Sequence, residues 1–301
     1  MSARSLLSIG LCVGLLCSAQ VASAQRASLR AVAEVNLRPP ANMRSKSAGY
    51  PWEGTLARGM KLKESRYVRY ISECEASGDR FYGTWQLVQL LERAARGVAA
   101  RYPGAKLAAG ELSSKEGGDV GGHSSHESGR DADIGFYILR GDGKPYQGAT
   151  FASFNAAGRS VIPGSSLRFD DARNWELISK LVTDREARVQ YIFVHRSIRA
   201  RLLREAARRK APADVINRAE SVLVEPARGN KHRTHFHVRI YCATSDRPQC
   251  RDVAPYWAWY PGMPPRDASS AHAALPAPAP APSPQALLTA RETQPQPVPG
   301  E

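Results

Sequence analysis

His232-Arg233-Thr234-His235-Phe236-His237-Val238-Arg239-Ile240 alternates polar with apolar side chains from His235 onward. Residues two apart on a β-strand share a face. His235 and His237 therefore point one way, and Phe236, Val238 and Ile240 the other. An upstream stretch, Gly122-His123-Ser124-Ser125-His126-Glu127-Ser128-Gly129-Arg130-Asp131-Ala132-Asp133-Ile134, runs into the same pattern. Asp131 and Asp133 fall on one face; Ala132, Ile134, Phe136 and Ile138 fall on the other. Of the chain's 7 histidines, all but His195 and His272 lie in these two segments. Two such strands laid side by side over one core bring Asp133, His235 and His237 into a common space. His126, just before the Gly129 turn, reaches that space from the loop.

Imidazole nitrogen and carboxylate oxygen are good zinc ligands, and three protein ligands leave a fourth position for water, whose pKa falls to roughly 7. The spacing assigns His126, Asp133 and His237 as the ligands. His235 sits one strand step from a ligand, close to the water without having to bind metal. That is the position of a general base or acid. Asp131 is the candidate acceptor for the outer N–H of a site histidine, and His123 is read with it as a supporting residue. Ser124 and Ser125 are read as hydrogen-bonding loop residues, because an activated water needs no serine nucleophile. Glu127 ranks below His235 as an acid or base, since an extended segment turns it away from His126.

The patterns Gly-His-x-Ser-His-x-x-Gly-x-Asp-x-Asp-Ile and His-x-x-His-x-His-Val-Arg resemble those of the penicillin-insensitive murein endopeptidases. These belong to a wider group of zinc peptidases that includes lysostaphin, the D-Ala-D-Ala peptidases and the hedgehog signalling domain. The doubled histidine His123/His126, the extra histidine His232 and the presence of Asp131 as well as Asp133 narrow the resemblance to this family. The vancomycin-resistance type of D,D-carboxypeptidase is similar around Ser124, His126, Gly129 and Asp133, but usually carries alanine where this chain has Asp131. The resemblance implies a zinc enzyme that cuts peptidoglycan cross-links at a D-alanyl bond. It also implies His126, Asp133 and His237 as metal ligands, with His235 and His232 as the catalytic histidines.

Around these motifs the chain divides into four parts. Residues 1–24 read as a signal peptide, with Arg4, an apolar run from Leu6 to Val21, and Ala22-Ser23-Ala24 as the cleavage site. The run is too short and interrupted for a membrane span, so the expectation is a periplasmic or secreted protein with no transmembrane segment in its mature form. Residues 25–50 read as a basic linker and 51–265 as one zinc metallopeptidase domain. Residues 266–301, rich in proline and alanine, read as a disordered tail. In an oxidising compartment, Cys242 and Cys250 are expected to be bridged. Cys74 is either a buried thiol or a partner for another molecule.

Helical spacing of Trp85, Leu87, Val88, Leu90, Leu91, Ala94 and Val98 predicts a helix over 82–101, closed by Pro103 and Gly104. Strands are predicted at 106–112, 131–139, 189–195 and 234–242. Further helices are predicted to about residue 185, capped by Asp170, over 197–210, and after Pro212. His195, at a strand end, is read as structural, and the aromatic group Tyr256, Trp257, Trp259 and Tyr260 as packing or a cleft wall. Strands and helices do not alternate as βαβ units would. The expected class is therefore α+β, a small antiparallel sheet carrying the zinc ligands and packed by helices.

A formal charge of +14 suits a protein held on an anionic polymer such as peptidoglycan, whose stem peptides carry free carboxylates. The basic helix over 197–210 would also suit nucleic acid, but export and the absence of any nucleic-acid motif argue against it. The leading expectation is a zinc endopeptidase for cross-linked stem peptides. Its alternatives are a D,D- or L,D-carboxypeptidase with the same site, and a non-catalytic zinc-containing domain that binds the wall.

Overall fold

Asp131–Gly135 and His235–Ile240 form neighbouring antiparallel strands with His237 opposite Asp133 and Arg239 opposite Asp131. The computed structural model describes residues 44–227 and 231–263. In chain order its strands are β1 (Lys46–Tyr50), β2 (Glu53–Ala57), β3 (Met60–Lys61), β4 (Val68–Tyr70), β5 (Tyr82–Gly83), β6 (Leu107–Ala109), β7 (Asp131–Gly135), β8 (Ile138–Leu139), β9 (Pro145–Tyr146), β10 (Arg168–Phe169), β11 (Val189–Phe193), β12 (Leu223–Val224) and β13 (His235–Ile240). The helices are α1 (Ser72–Ala76), α2 (Trp85–Arg101), α3 (Asp171–Thr183), α4 (Arg196–Arg208) and α5 (Ala213–Val222).

The α+β class is as expected. A 6-stranded sheet runs in the order β12-β11-β13-β7-β6-β4. Its four middle strands pair antiparallel, and parallel pairs β11/β12 and β4/β6 close the two edges. Alternation sorts the faces of its two central strands. Ala132, Ile134, Phe236, Val238 and Ile240 are sealed in the main core with Leu87, Leu91, Ile178 and Leu181 from helices α2 and α3. Asp131, Asp133, His235, His237 and Arg239 occupy the other face and are also buried. Phe136 meets Phe236 edge-on at 4.7 Å, which fixes the β7/β13 register from the core side.

Helix α2 begins three residues later than the apolar spacing suggests. Thr84 caps it by accepting a hydrogen bond from the Leu87 amide at 3.3 Å, and the two residues before the cap pair as β5 with β3. Replacing Thr84 with alanine removes that acceptor at a buried helix end. A loss of about 1 kcal/mol is expected, read from chemical denaturation. Asp170 caps α3 as expected, accepting from the Arg173 amide at 3.0 Å. Pairing is shorter than the strand patterns suggest. Only Leu107–Ala109 of 106–112 is strand, and the strand predicted over 131–139 ends at Gly135, with β8 leaving for a separate sheet of three strands. Lys46–Tyr50, placed by composition in the linker, is a strand paired with β2. The expected signal peptide and tail lie outside the described residues. Among those described, no helix is long and apolar enough to cross a membrane.

Cys242 and Cys250 form the expected disulfide just beyond β13. Cys74 is free and 7% exposed, packed with Ile71, Phe81 and Ala108, and burial pushes its thiol up to about 12. It is inert packing rather than a reactive group.

Candidate metal centre

Hydrogen-bond chemistry at His126 and His237 decides what this cluster can do. The Leu112 carbonyl lies 2.5 Å from His126 Nδ1. A carbonyl only accepts, so Nδ1 carries a proton and Nε2 is the nitrogen that holds the lone pair in the neutral ring. His237 Nε2 lies 2.6 Å from Asp131 Oδ1, which likewise only accepts, and so Nδ1 of His237 is the lone-pair nitrogen. Both lone pairs face one carboxylate oxygen. Asp133 Oδ1 is 3.5 Å from His126 Nε2 and 3.2 Å from His237 Nδ1. With both rings neutral these would be acceptors turned on one another in a buried space, an arrangement that a further proton or a metal cation relieves. The spacing fits one, since ligand bonds of 2.0–2.1 Å in a tetrahedral centre put neighbouring ligand atoms about 3.3 Å apart.

His235 joins the same oxygen from the other side, with Nε2 at 3.4 Å from Asp133 Oδ1 and Nδ1 at 2.8 Å from Thr234 Oγ1. The Nε2 atoms of His126 and His235 and Oδ1 of Asp133 have no hydrogen-bond partner among the described residues, and all are buried. Burial alone would raise the Asp133 carboxyl, but His235, His126 and His237 outweigh it and hold it well below the usual range. For His237, burial works to lower the imidazole pKa, yet Asp133 and Asp131 raise it on balance. Both directions express one need, positive charge between these groups, met by protons or by a metal ion.

The site residues come from both ends of the expected pattern. His123, His126, Asp131, Asp133, His232, His235 and His237 all meet at one face of the sheet. His123 Nδ1 is 3.7 Å from Asp133 Oδ2, and the His232 ring lies 5.0 Å from that of His235 and 5.3 Å from that of His237. Two groups have donor atoms all within 4.8 Å of one another, His123/His126/Asp133 and Asp133/His232/His235. The loops that deliver the histidines are strained. His126 has φ 82° and His232 φ 49°, left-handed values that few non-glycine residues adopt and that cluster at functional sites. Gly129, at φ 70°, turns the first loop into β7, and a Cβ there would stand 2.7 Å from the Leu56 side chain.

Several contributors escaped the sequence reading. Glu111 accepts from His123 Nε2 and from Ser77 Oγ, and the His123 bond leads the interactions that hold its carboxyl near 2. Arg239 donates Nε to Asp131 Oδ1 at 2.6 Å and lies over the Phe193 ring. Burial opposes ionisation of Asp131, but Arg239 and His237 outweigh it, and the carboxyl is held far below its ordinary value. Phe151 packs on the His235 ring at 4.6 Å. Strand alternation puts Arg239 on the site face; nothing local singles out Glu111 or Phe151. The structure also gives Glu127 a different task from acid–base work, for its carboxylate accepts from the Gly54 amide at 3.1 Å and pins the β1–β2 hairpin to the histidine loop. His195 is structural as expected, capping α4 through Nδ1.

An α+β domain with a buried cluster of histidines and aspartates suited to a metal ion, carried on two central strands, is the class this architecture defines. Residues 49–264 match the penicillin-insensitive murein endopeptidase family, and the chain belongs to it. Penicillin-insensitive murein endopeptidase of Haemophilus influenzae is 29% identical over 182 residues, covering 59% of this chain and 57% of that relative. The aligned stretch thus spans little more than half of the relative's length.

Proposed function

We propose that this protein is a zinc-dependent endopeptidase of peptidoglycan that hydrolyses D-alanyl cross-links between stem peptides. The observation that carries the reading is the pair of lone-pair nitrogens, His126 Nε2 and His237 Nδ1, aimed at one buried Asp133 oxygen. His126, Asp133 and His237 would hold the ion. Zinc bound there supplies an acidified water, with a pKa of about 7, and polarises the scissile carbonyl. His235 takes the water's proton at Nε2 and passes it to the leaving amine, its other nitrogen steadied by Thr234. His232 stands beside it to steady the developing oxyanion. Asp131, clamped by Arg239, keeps the His237 proton on Nε2. Family membership and the basic charge of +14 support peptidoglycan as the substrate. The same reading puts the protein outside the cytoplasm, in the periplasm or secreted.

Two measurements test this. Metal analysis of purified protein should find close to one zinc, and the Asp133→Ala variant should have lost it while keeping its circular dichroism. A metal-free wild type that stays active in excess chelator would end the proposal. Digestion of purified cross-linked muropeptide dimers separates the alternatives. Monomers mark an endopeptidase, release of only a terminal D-alanine marks a carboxypeptidase, and intact dimers with bound zinc mark a wall-binding domain. A milder change, Asp131→Asn, keeps the shape but weakens the anchor of His237. Zinc affinity in chelator competition should fall about 10–100-fold.

A further inference from the structure

A second place in the fold gathers hydrogen-bond donors, and none of its residues belongs to the metal centre. A cavity of about 20 Å³ lies between the chain leaving β7, the residues entering β6 and helix α3. Its polar lining is Arg69, Lys106, Tyr137, Tyr146, Gln147 and Arg173, and no carboxylate lines it. Three of these residues keep a buried donor atom with no hydrogen-bond partner among the described residues: Arg69 Nε, Arg173 Nε and the Tyr137 hydroxyl. Tyr137 is 8% exposed, and its backbone is fully paired. Its amide donates to Asn174 Oδ1 at 2.9 Å, and its carbonyl accepts from Asn174 Nδ2 at 2.8 Å and from the Asp170 amide at 3.0 Å. Arg173 has Nη1 on Asp170 and its guanidinium over the Tyr102 ring. Arg69 gives Nη1 to the Tyr70 carbonyl at 3.1 Å. Burial pulls the Arg69 guanidinium below its ordinary pKa, although Glu64 opposes it. A buried donor left unpaired costs free energy, and a buried cation without counter-charge costs more.

We propose that this cavity is a halide site, taking chloride on the Tyr137 hydroxyl and the Nε atoms of Arg69 and Arg173. Size and charge select the occupant. The space admits one water-sized body. Two guanidiniums and the Lys106 ammonium repel a cation. Water would have to place two hydrogens of its own where donors dominate. A monatomic anion accepts from all three donors and supplies the missing negative charge. Bound there, it joins the edge strand β4, which carries Arg69, to helix α3 and to the turn between β7 and β8. The site is independent of the metallopeptidase reading above.

The test is thermal unfolding of the full chain in chloride against gluconate, an anion too large for the cavity, at equal ionic strength so that screening stays constant. Once chloride exceeds its Kd about fivefold, the melting temperature should rise by about 2–4 °C. The rise should be lost in Tyr137→Phe and in Arg69→Gln. The first of these keeps the ring and removes only a hydroxyl without a partner among the described residues, so it folds. The rise should persist in excess chelator, which separates this site from a halide bound to the metal. Crystals soaked in bromide should show an anomalous peak within hydrogen-bonding reach of all three donors. No rise in chloride, an equal rise in both variants, a rise that vanishes in chelator, or a cavity without bromide overturns the site.

Discussion

His235→Ala is expected to leave the protein folded and zinc-loaded while turnover on muropeptide dimers falls about 10²–10⁴-fold, the range for loss of a positioned general base. The expectation rests on two features of the residue. Its Nε2 is buried 3.4 Å from Asp133 Oδ1 and has no hydrogen bond among the described residues, so this atom is open toward the proposed metal centre. Its backbone lies in β13 opposite Gly135, and the ring contributes little to the core beyond its contact with Phe151. The loss should fall on kcat, because proton transfer is a transition-state interaction. Metal content has to be measured on the same sample. Full activity in a zinc-replete variant would take His235 out of the chemistry, and loss of zinc together with activity would make it a ligand.

Arg130→Met should produce the largest loss of stability, about 3–5 kcal/mol, as for breaking one side of a buried ion pair. Arg130 is 1% exposed. Its guanidinium donates to Asp252 Oδ1 at 2.8 Å, to the Arg251 carbonyl at 2.9 Å and to Ser128 Oγ at 3.2 Å. It therefore ties the approach to β7 to the segment that follows the Cys242–Cys250 disulfide. Methionine fills part of the volume and makes none of these bonds. Asp252 keeps Arg247 at 2.7 Å, which places the expected cost toward the low end. At about 2–4 °C per kcal/mol for a domain of this size, the melting temperature should drop by roughly 6–20 °C. A change of under two degrees would mean that the network is not what holds the carboxyl-terminal segment to the sheet. Adding Asp252→Asn should recover part of the loss, since it removes the carboxylate left behind.

The strand alternation around His235 and Asp133, with its apolar row behind, was legible because period-two patterning is a local property. The helix spacing of 82–101, the Asp170 cap, the Cys242–Cys250 bridge and the structural reading of His195 were legible for the same reason: each depends on neighbours in the chain. Strand lengths were not. Where β7 ends and β8 departs depends on which partner offers hydrogen bonds, and no residue in 131–139 announces that exchange. Lys46–Tyr50 looked like linker because its composition is polar, yet the β2 partner made it a strand. Tertiary structure alone could decide which nitrogen of His126 and of His237 is turned toward Asp133, because the Leu112 carbonyl and Asp131 set that from across the fold. It alone brought Glu111 to His123, the Glu127 carboxylate to a hairpin amide, and His126, His235 and His237 to one oxygen of Asp133. The identity of the chemical groups is a matter of sequence. Their hydrogen bonds, and the room they leave for a cation, come from distances that exist only once the sheet has closed.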